Sequence, residues 1–250
     1  MRFLTYGSLV LCLPLVLAGS LRADSQADSK ALIDKAIKAM GGQDKVAKLQ
    51  TGTGKGKLTG QDDGKEITVT YEASWQGLDQ YRIDADAQFD GNSKQALMIV
   101  NGAKGWIKAG ERVEAAPKGL VSLIKDTFYG MRMPQVLPVL KGKGYKLSPL
   151  GELKVGDSPA VGVRVAHKHH KDVSLFFDKK TGLPVKSEIN VKSPDGKELA
   201  IEYLYSDYKD VDGVQSCTKI TIKAHGKEFI MEMSEFTPED KLDDSLFEKP

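Results

Sequence analysis

Residues 173–213, VSLFFDKKTGLPVKSEINVKSPDGKELAIEYLYSDYKDVDG, leave this part of the chain little choice but three antiparallel strands. Val173, Leu175 and Phe177 alternate along the first. Thr181-Gly182 turns the chain and Pro184 opens the next run, where Val185, Ser187, Ile189 and Val191 share a face opposite Lys186, Glu188 and Lys192. Asp195-Gly196 is a two-residue hairpin signal, because such a turn needs positive φ at both central residues. Leu199, Ile201, Tyr203 and Tyr205 return against Glu198, Glu202 and Ser206. A period of two in consecutive strands predicts a sheet with one face in a core and one in water.

The same alternation extends over most of the chain. In residues 66–75, Ile67, Val69, Tyr71, Ala73 and Trp75 oppose Thr68, Thr70, Glu72 and Ser74. Tyr81, Ile83 and Ala85 continue the pattern. Residues 97–100 and 105–108 form a hairpin about Asn101-Gly102, and 219–224 and 228–236 pair across His225-Gly226. Residues 145–155 and 160–167 add two more strands. In residues 51–60, Gly52, Gly54, Gly56 and Gly60 share a face, which predicts a close approach, expected from a helix packed on them. The Gly-Lys-Gly-Lys run there is no phosphate loop, since Leu58 stands where a metal-binding hydroxyl is required.

Two stretches break the alternation. Leu32, Ile33, Ala36, Ile37 and Met40 fall at helical spacing over residues 30–40, with Ser29 as cap and Gly41-Gly42 as stop. Residues 119–140 are helical and rich in Leu, Met and Phe; Gly130, Pro134 and Pro138 predict two short helices rather than one. About eleven or twelve strands with no long linker or repeat define one mainly β domain with an α insert. Its economical form is a single curved antiparallel sheet covered by an N-terminal helix and two short central helices.

The chain begins with a basic pair, an apolar run over residues 3–17 and Leu21-Arg22-Ala23. This pattern predicts a secretory signal peptide over residues 1–23, cleaved near Ala23, leaving a domain over 24–250. The run is shorter than the roughly 20 residues that span a bilayer. Lys and Arg exceed Asp and Glu by two, and Arg2 and Arg22 account for that surplus. The remainder is balanced, which argues against a nucleic-acid surface. Cys217 is then the only cysteine outside the leader, so no internal disulfide is expected.

Polar clusters that suggest chemistry have plainer readings. His167, His169 and His170 sit in a hairpin tip without a neighbouring carboxylate set, so a solvated turn outweighs a metal site. Asp84, Asp86 and Asp90 read as a solvated face, and Asp243-Asp244 as a turn or cap. No nucleophile motif or dinucleotide fingerprint occurs. No enzyme, cofactor or metal is therefore expected. The informative residues are apolar. Tyr71, Trp75, Tyr81, Ile83 and Trp106 from the strands, with Leu120, Leu123, Ile124, Phe128, Met131, Met133 and Leu137 from the insert, are either core or the walls of an apolar cavity closed by helices.

Five segments carry a family resemblance: residues 37–42 (IKAMGG), 101–106 (NGAKGW), 177–185 (FDKKTGLPV), 205–213 (YSDYKDVDG) and 244–247 (DSLF). Together they resemble the LolA/LolB-like, outer-membrane lipoprotein-sorting-like proteins. That resemblance implies a half-open β-barrel covered by helices, a periplasmic location, and a monomer holding a lipid or the acyl chains of an acylated protein, with an envelope membrane protein as a further partner. The alternative on the same fold is a sensing or protein-interaction module without cargo.

Overall fold

The computed structural model describes residues 20–62, 64–89 and 92–250. The apolar run of the expected leader, Asp63 and the Asp90-Gly91 turn lie outside the described residues. The chain starts with helices α1 (Ser20–Ala39) and α2 (Gln43–Ala47) and a 3₁₀ turn. Six strands follow: β1 (Thr51–Asp62), β2 (Lys65–Gln76), β3 (Gln80–Phe89), β4 (Asn92–Asn101), β5 (Lys104–Ala109) and β6 (Arg112–Ala115). Helix α3 (Lys118–Arg132) and two 3₁₀ turns, Met133–Gln135 and Leu137–Lys141, come next. The last seven strands are β7 (Tyr145–Val155), β8 (Ser158–His167), β9 (Val173–Asp178), β10 (Pro184–Lys192), β11 (Glu198–Val211), β12 (Val214–Ala224) and β13 (Lys227–Pro238). A final 3₁₀ turn spans Asp244–Phe247.

All thirteen strands form one sheet, ordered β6-β5-β4-β3-β2-β1-β13-β12-β11-β10-β9-β8-β7. The first six run outward from the middle to one edge, and the last seven return from the far edge. β1 and β13 pair antiparallel at the centre, from Gly52 opposite Pro238 to Gly60 opposite Phe229. Since β6 and β7 are opposite edges, α3 and its 3₁₀ turns must carry the chain across the sheet face. The sheet is curved and does not close, a half-open barrel with the helices on one face.

The register puts the alternating apolar residues of β8 to β12 on that face. Val163, Leu175, Phe177, Ile189, Val191 and Tyr203 are buried there beneath Ile33, Ala36, Ile37 and Met40 of α1. A separate cluster under the first half of α3 joins Trp75, Tyr81 and Val100 to Val121 and Ile124. A third lies on the opposite face, where Leu97 and Ile99 cover a fully buried Phe247.

Three expectations change. The insert is one fifteen-residue α-helix that runs through Gly130 and only then breaks into 3₁₀ turns at the prolines. Gly130 is a packing residue: a Cβ there would lie 2.7 Å from Ile189 Cγ2 of β10. Helix α1 begins at Ser20, so Ser29 lies inside it and is buried rather than capping. The strands number thirteen because β6 is only four residues long, too short for its alternation to stand out.

Three of the five resemblance segments meet at the C-terminus of α1. Gln215 N–H donates to Met40 O at 2.9 Å, which seats the Asp212-Gly213 turn against Gly41. A Cβ on Gly182 would lie 3.3 Å from Ala39 Cβ. Asp178 shapes that turn by accepting from Lys180 N at 2.9 Å, Thr181 N at 2.6 Å and Thr181 Oγ at 3.0 Å. The other two segments also meet, with Asn101 Nδ2 donating to Phe247 O at 3.3 Å.

Candidate ligand-binding site

The strands β1, β2, β3 and β13 are ten to twelve residues long, and α3 covers only one end of them. Beyond that end the helix-side face continues as an apolar trough. Leu58, Ile67, Val69, Tyr71, Ile83, Phe229, Met231 and Met233 line it, all half-buried. The register places them in rows, with Val69 opposite Leu58, Leu58 opposite Met231, and Tyr71 opposite Gly56.

The glycines of β1 explain the shape of this floor. No helix packs on them. The Trp75 ring lies over Gly54, 3.3 Å from where a Cβ would stand. Tyr71 lies across Gly56 and Phe229 across Gly60, so closely that a Cβ at either position would collide with the ring. Missing side chains thus let aromatic rings from both neighbouring strands lie flat along β1. Tyr71 is buried by this arrangement, which pushes its phenol up to about 12, and its hydroxyl has no hydrogen-bond partner.

Helix α3 closes one end of the trough. Its first half packs Val121 toward Gly105 of β5, and Phe128 meets Tyr81 with ring centroids 4.4 Å apart. Its last turn is held by hydroxyls of the sheet. Tyr203 OH donates to Thr127 O at 3.0 Å. Ser187 Oγ lies 3.0 Å from Gly130 O, Tyr205 OH lies 2.9 Å from Met131 O, and the two hydroxyls are 2.7 Å apart. Ser187 and Tyr205 thereby satisfy carbonyls that a helix end leaves without partners.

At this closed end sits a buried cation. Arg132 is 4% exposed. Its Nη2 donates to Leu49 O at 2.6 Å, the carbonyl that also accepts Trp75 Nε1 at 3.1 Å. The guanidinium carbon lies 4.4 Å from the centre of the Trp75 ring, a cation–π contact. Nε is buried without a partner. Burial lowers the Arg132 pKa to about 10, and only Tyr81 opposes that shift. Arg82 and Arg112, by contrast, pair with Asp84 and Glu114 at the surface.

The structure brings some of the expected site residues together and separates others. Trp75, Tyr81, Leu120, Ile124 and Phe128 form one cluster under α3. Tyr71 and Ile83 lie farther along β2 and β3, on the open floor. Met131, Met133 and Leu137 are buried in the main core, and Leu123 packs against it. Trp106 is on the wrong face: it pairs with Ile99 and packs with Phe247, because Gly105 is the residue of β5 that faces α3. Phe229, Met231 and Met233 were not anticipated. The β13 residues reach the floor through the pairing of β1 with β13, which joins distant parts of the chain. Arg132 had one signal, as the only charge between Asp126 and Lys141.

The space beneath the helices is filled. A cavity of about 20 Å³ lies between Leu49, Pro134, Cys217, Met233 and Phe236, room for about one water. Recesses of about 590 and 490 Å³ lie on the other face, with Lys55, Glu72 and Asp84 lining the first and Arg164, Glu188 and Glu202 the second. Cys217 is a buried free thiol beside Ser206 O and Lys219 O, and burial raises its pKa to about 11. His170 stacks on Tyr129 at 4.2 Å and His167 tilts against Tyr145 at 4.7 Å, so two of the histidines pack on α3 and β7 while His169 stays exposed at the tip. Among the described residues no group of three or more His, Cys, Asp or Glu is placed to hold a metal, and no helix is long and apolar enough to cross a membrane.

A thirteen-stranded half-open sheet crossed by one helix is a LolA-like fold. A LolA superfamily protein from Nitrosomonas europaea superposes with a TM-score of 0.58 at 14% identity, covering 88% of this chain and 97% of that one. A domain described as an outer membrane lipoprotein-sorting protein domain, from Vibrio parahaemolyticus, gives 0.56 at 14%, covering 90% and 97%. A DUF1329 family protein from Desulfovibrio piger gives 0.53 at 15%, covering 88% and 97%. No protein-family model and no curated protein matches the sequence.

Proposed function

We propose that this protein is an exported envelope protein that binds the apolar part of a lipid or of an acylated protein in the trough beside α3, and carries it as a monomer without catalysing a reaction. The observation that carries this reading is the row of half-buried apolar side chains on the helix-covered face, paved flat by Tyr71, Trp75 and Phe229. A half-exposed apolar strip inside a curved sheet costs solvation in the free protein and gains it back when a chain lies on it. The LolA-like fold, shared with a lipoprotein-sorting domain, supports the same reading. Because the space beneath the helices is filled, a ligand longer than the trough has to displace the first half of α3, the half that the sheet hydroxyls do not hold.

The test is a titration with a fluorescent fatty acid. Native protein is expected to bind the probe, and Val69→Glu and Ile83→Glu, placed on half-exposed floor positions, are expected to fold and to lose binding about tenfold or more, since each buries a charge against an apolar chain. Unchanged binding by the folded variants would remove the trough from the reading. Native mass spectrometry of protein purified without detergent then identifies the cargo. A protein that is empty and takes up no probe would favour a protein-binding module on the same fold.

A further inference from the structure

Buried charges in proteins are paired, because removing an ion from water costs several kcal/mol that only a counter-charge or hydrogen bonds return. Arg132 departs from this rule at the closed end of the trough. It is 4% exposed, one carbonyl and one aromatic face are its partners, its Nε has none, and among the described residues no carboxylate forms an ion pair with it. Were the position only to fill the space between Trp75 and Leu49, an apolar side chain would serve without the cost of burying a charge. The planar fork of arginine matches a carboxylate or phosphate, which accepts two of its N–H groups at once. The neighbours suit an amphiphile. Trp75 carries the guanidinium on its ring, and the floor runs outward from it through Ala73 and Tyr71 to Val69 along β2.

Resting on the reading of the trough as a lipid site, we propose that its ligand is an anionic amphiphile, whose carboxylate or phosphate pairs with Arg132 once the ligand has displaced the first half of α3, while its hydrocarbon chain lies along the floor. The anion supplies the missing counter-charge and a partner for Nε. Neutral amphiphiles of the same length have only the floor.

The experiment compares palmitate with cetyl alcohol, equal in chain length and different in charge, on the native protein and on Arg132→Met. The native protein is expected to bind palmitate about tenfold or more tightly than the alcohol, the scale of one charge-assisted hydrogen bond. Arg132→Met is expected to bind both with the affinity of the alcohol. Equal binding of the two by the native protein would overturn the proposal and leave the lipid reading standing, and that comparison needs no variant to fold. A folded Arg132→Met that keeps the preference would overturn it too. Binding of neither ligand by the native protein would overturn the lipid reading and the proposal together. Competition of palmitate by inorganic phosphate at comparable concentration would overturn the amphiphile and make Arg132 a site for a free anion.

Discussion

Gly130 shows how one atom decides a local structure. The sequence context predicts a helix break there, since glycine costs about 1 kcal/mol relative to alanine inside a helix. The structure reverses that preference, because α3 approaches β10 so closely that a methyl group would meet Ile189. Gly130→Ala is therefore expected to destabilise the fold by about 1–3 kcal/mol despite its better helix propensity, with partial recovery in the double variant with Ile189→Val. Urea unfolding of the three variants checks this. At Tyr71 the hydroxyl is buried without a partner, so Tyr71→Phe is expected to be neutral or stabilising by up to about 1 kcal/mol in the same assay. Cys217 is buried with its pKa raised to about 11, so Ellman's reagent at pH 8 is expected to label it only as the protein unfolds.

At the scale of elements, the two ends of α3 are held by different forces. Packing holds the first half, through Val121 and Ile124. Hydroxyls of the sheet hold the last turn. Tyr205→Phe removes the hydroxyl shared by Met131 O and Ser187, and is expected to cost about 1–3 kcal/mol, because it leaves buried acceptors without a donor. Hydrogen exchange is expected to rise in the last turn of α3 and in β10 rather than uniformly. The C-terminal turn is a second such element. Phe247 is fully buried against Leu97 and Ile99 on the far side of the sheet, so Phe247→Ala is expected to cost about 3–5 kcal/mol. Trp106 packs beside it, so the emission of that tryptophan is expected to shift to the red while Trp75 stays buried.

For the whole molecule, the buried tyrosines set the behaviour at high pH. Burial raises Tyr71 to about 12, and raises Tyr81, Tyr129, Tyr203, Tyr205 and Tyr208 as well, from an ordinary value of 10.0. Above pH 10 the unfolded chain gives up these protons before the folded one does. The unfolded state then binds fewer protons, and stability falls as pH rises. The stabilisation is complete below pH 10 and is lost through the folded-state values, on the order of 1.4 kcal/mol per pH unit for each tyrosine involved. Arg132 acts in the opposite sense, since its pKa is lowered to about 10 from 12.5 and its burial penalty eases above pH 10. One group against six leaves the tyrosines dominant. Thermal unfolding is expected to move to lower temperature above pH 10, and an unfolding temperature that holds to pH 11.5 would contradict this account.

Alternation, turn residues and the two helical stretches are local properties, each set within a few residues by backbone sterics and by the side on which apolar groups fall. The sequence alone therefore determined the strands, most of their turns, the existence of a covering insert and the apolar character of its inner face. The resemblance segments were legible for the same reason, and the structure shows that they form two junctions, at the end of α1 and under Phe247, away from the trough. What needed tertiary structure is what depends on partners far apart in the chain. The pairing of β1 with β13 builds the floor, and the order of the strands puts β6 and β7 at opposite edges, so that α3 has to cross. Strand parity within residues 101–109 was readable, but which parity faces α3 was not, and Trp106 turned outward because Gly105 faces the helix. Arg132 is a charge in an apolar run to the sequence. Only packing against Trp75 and Leu49, with no ion pair to a carboxylate among the described residues, makes it a buried cation at the end of an apolar trough.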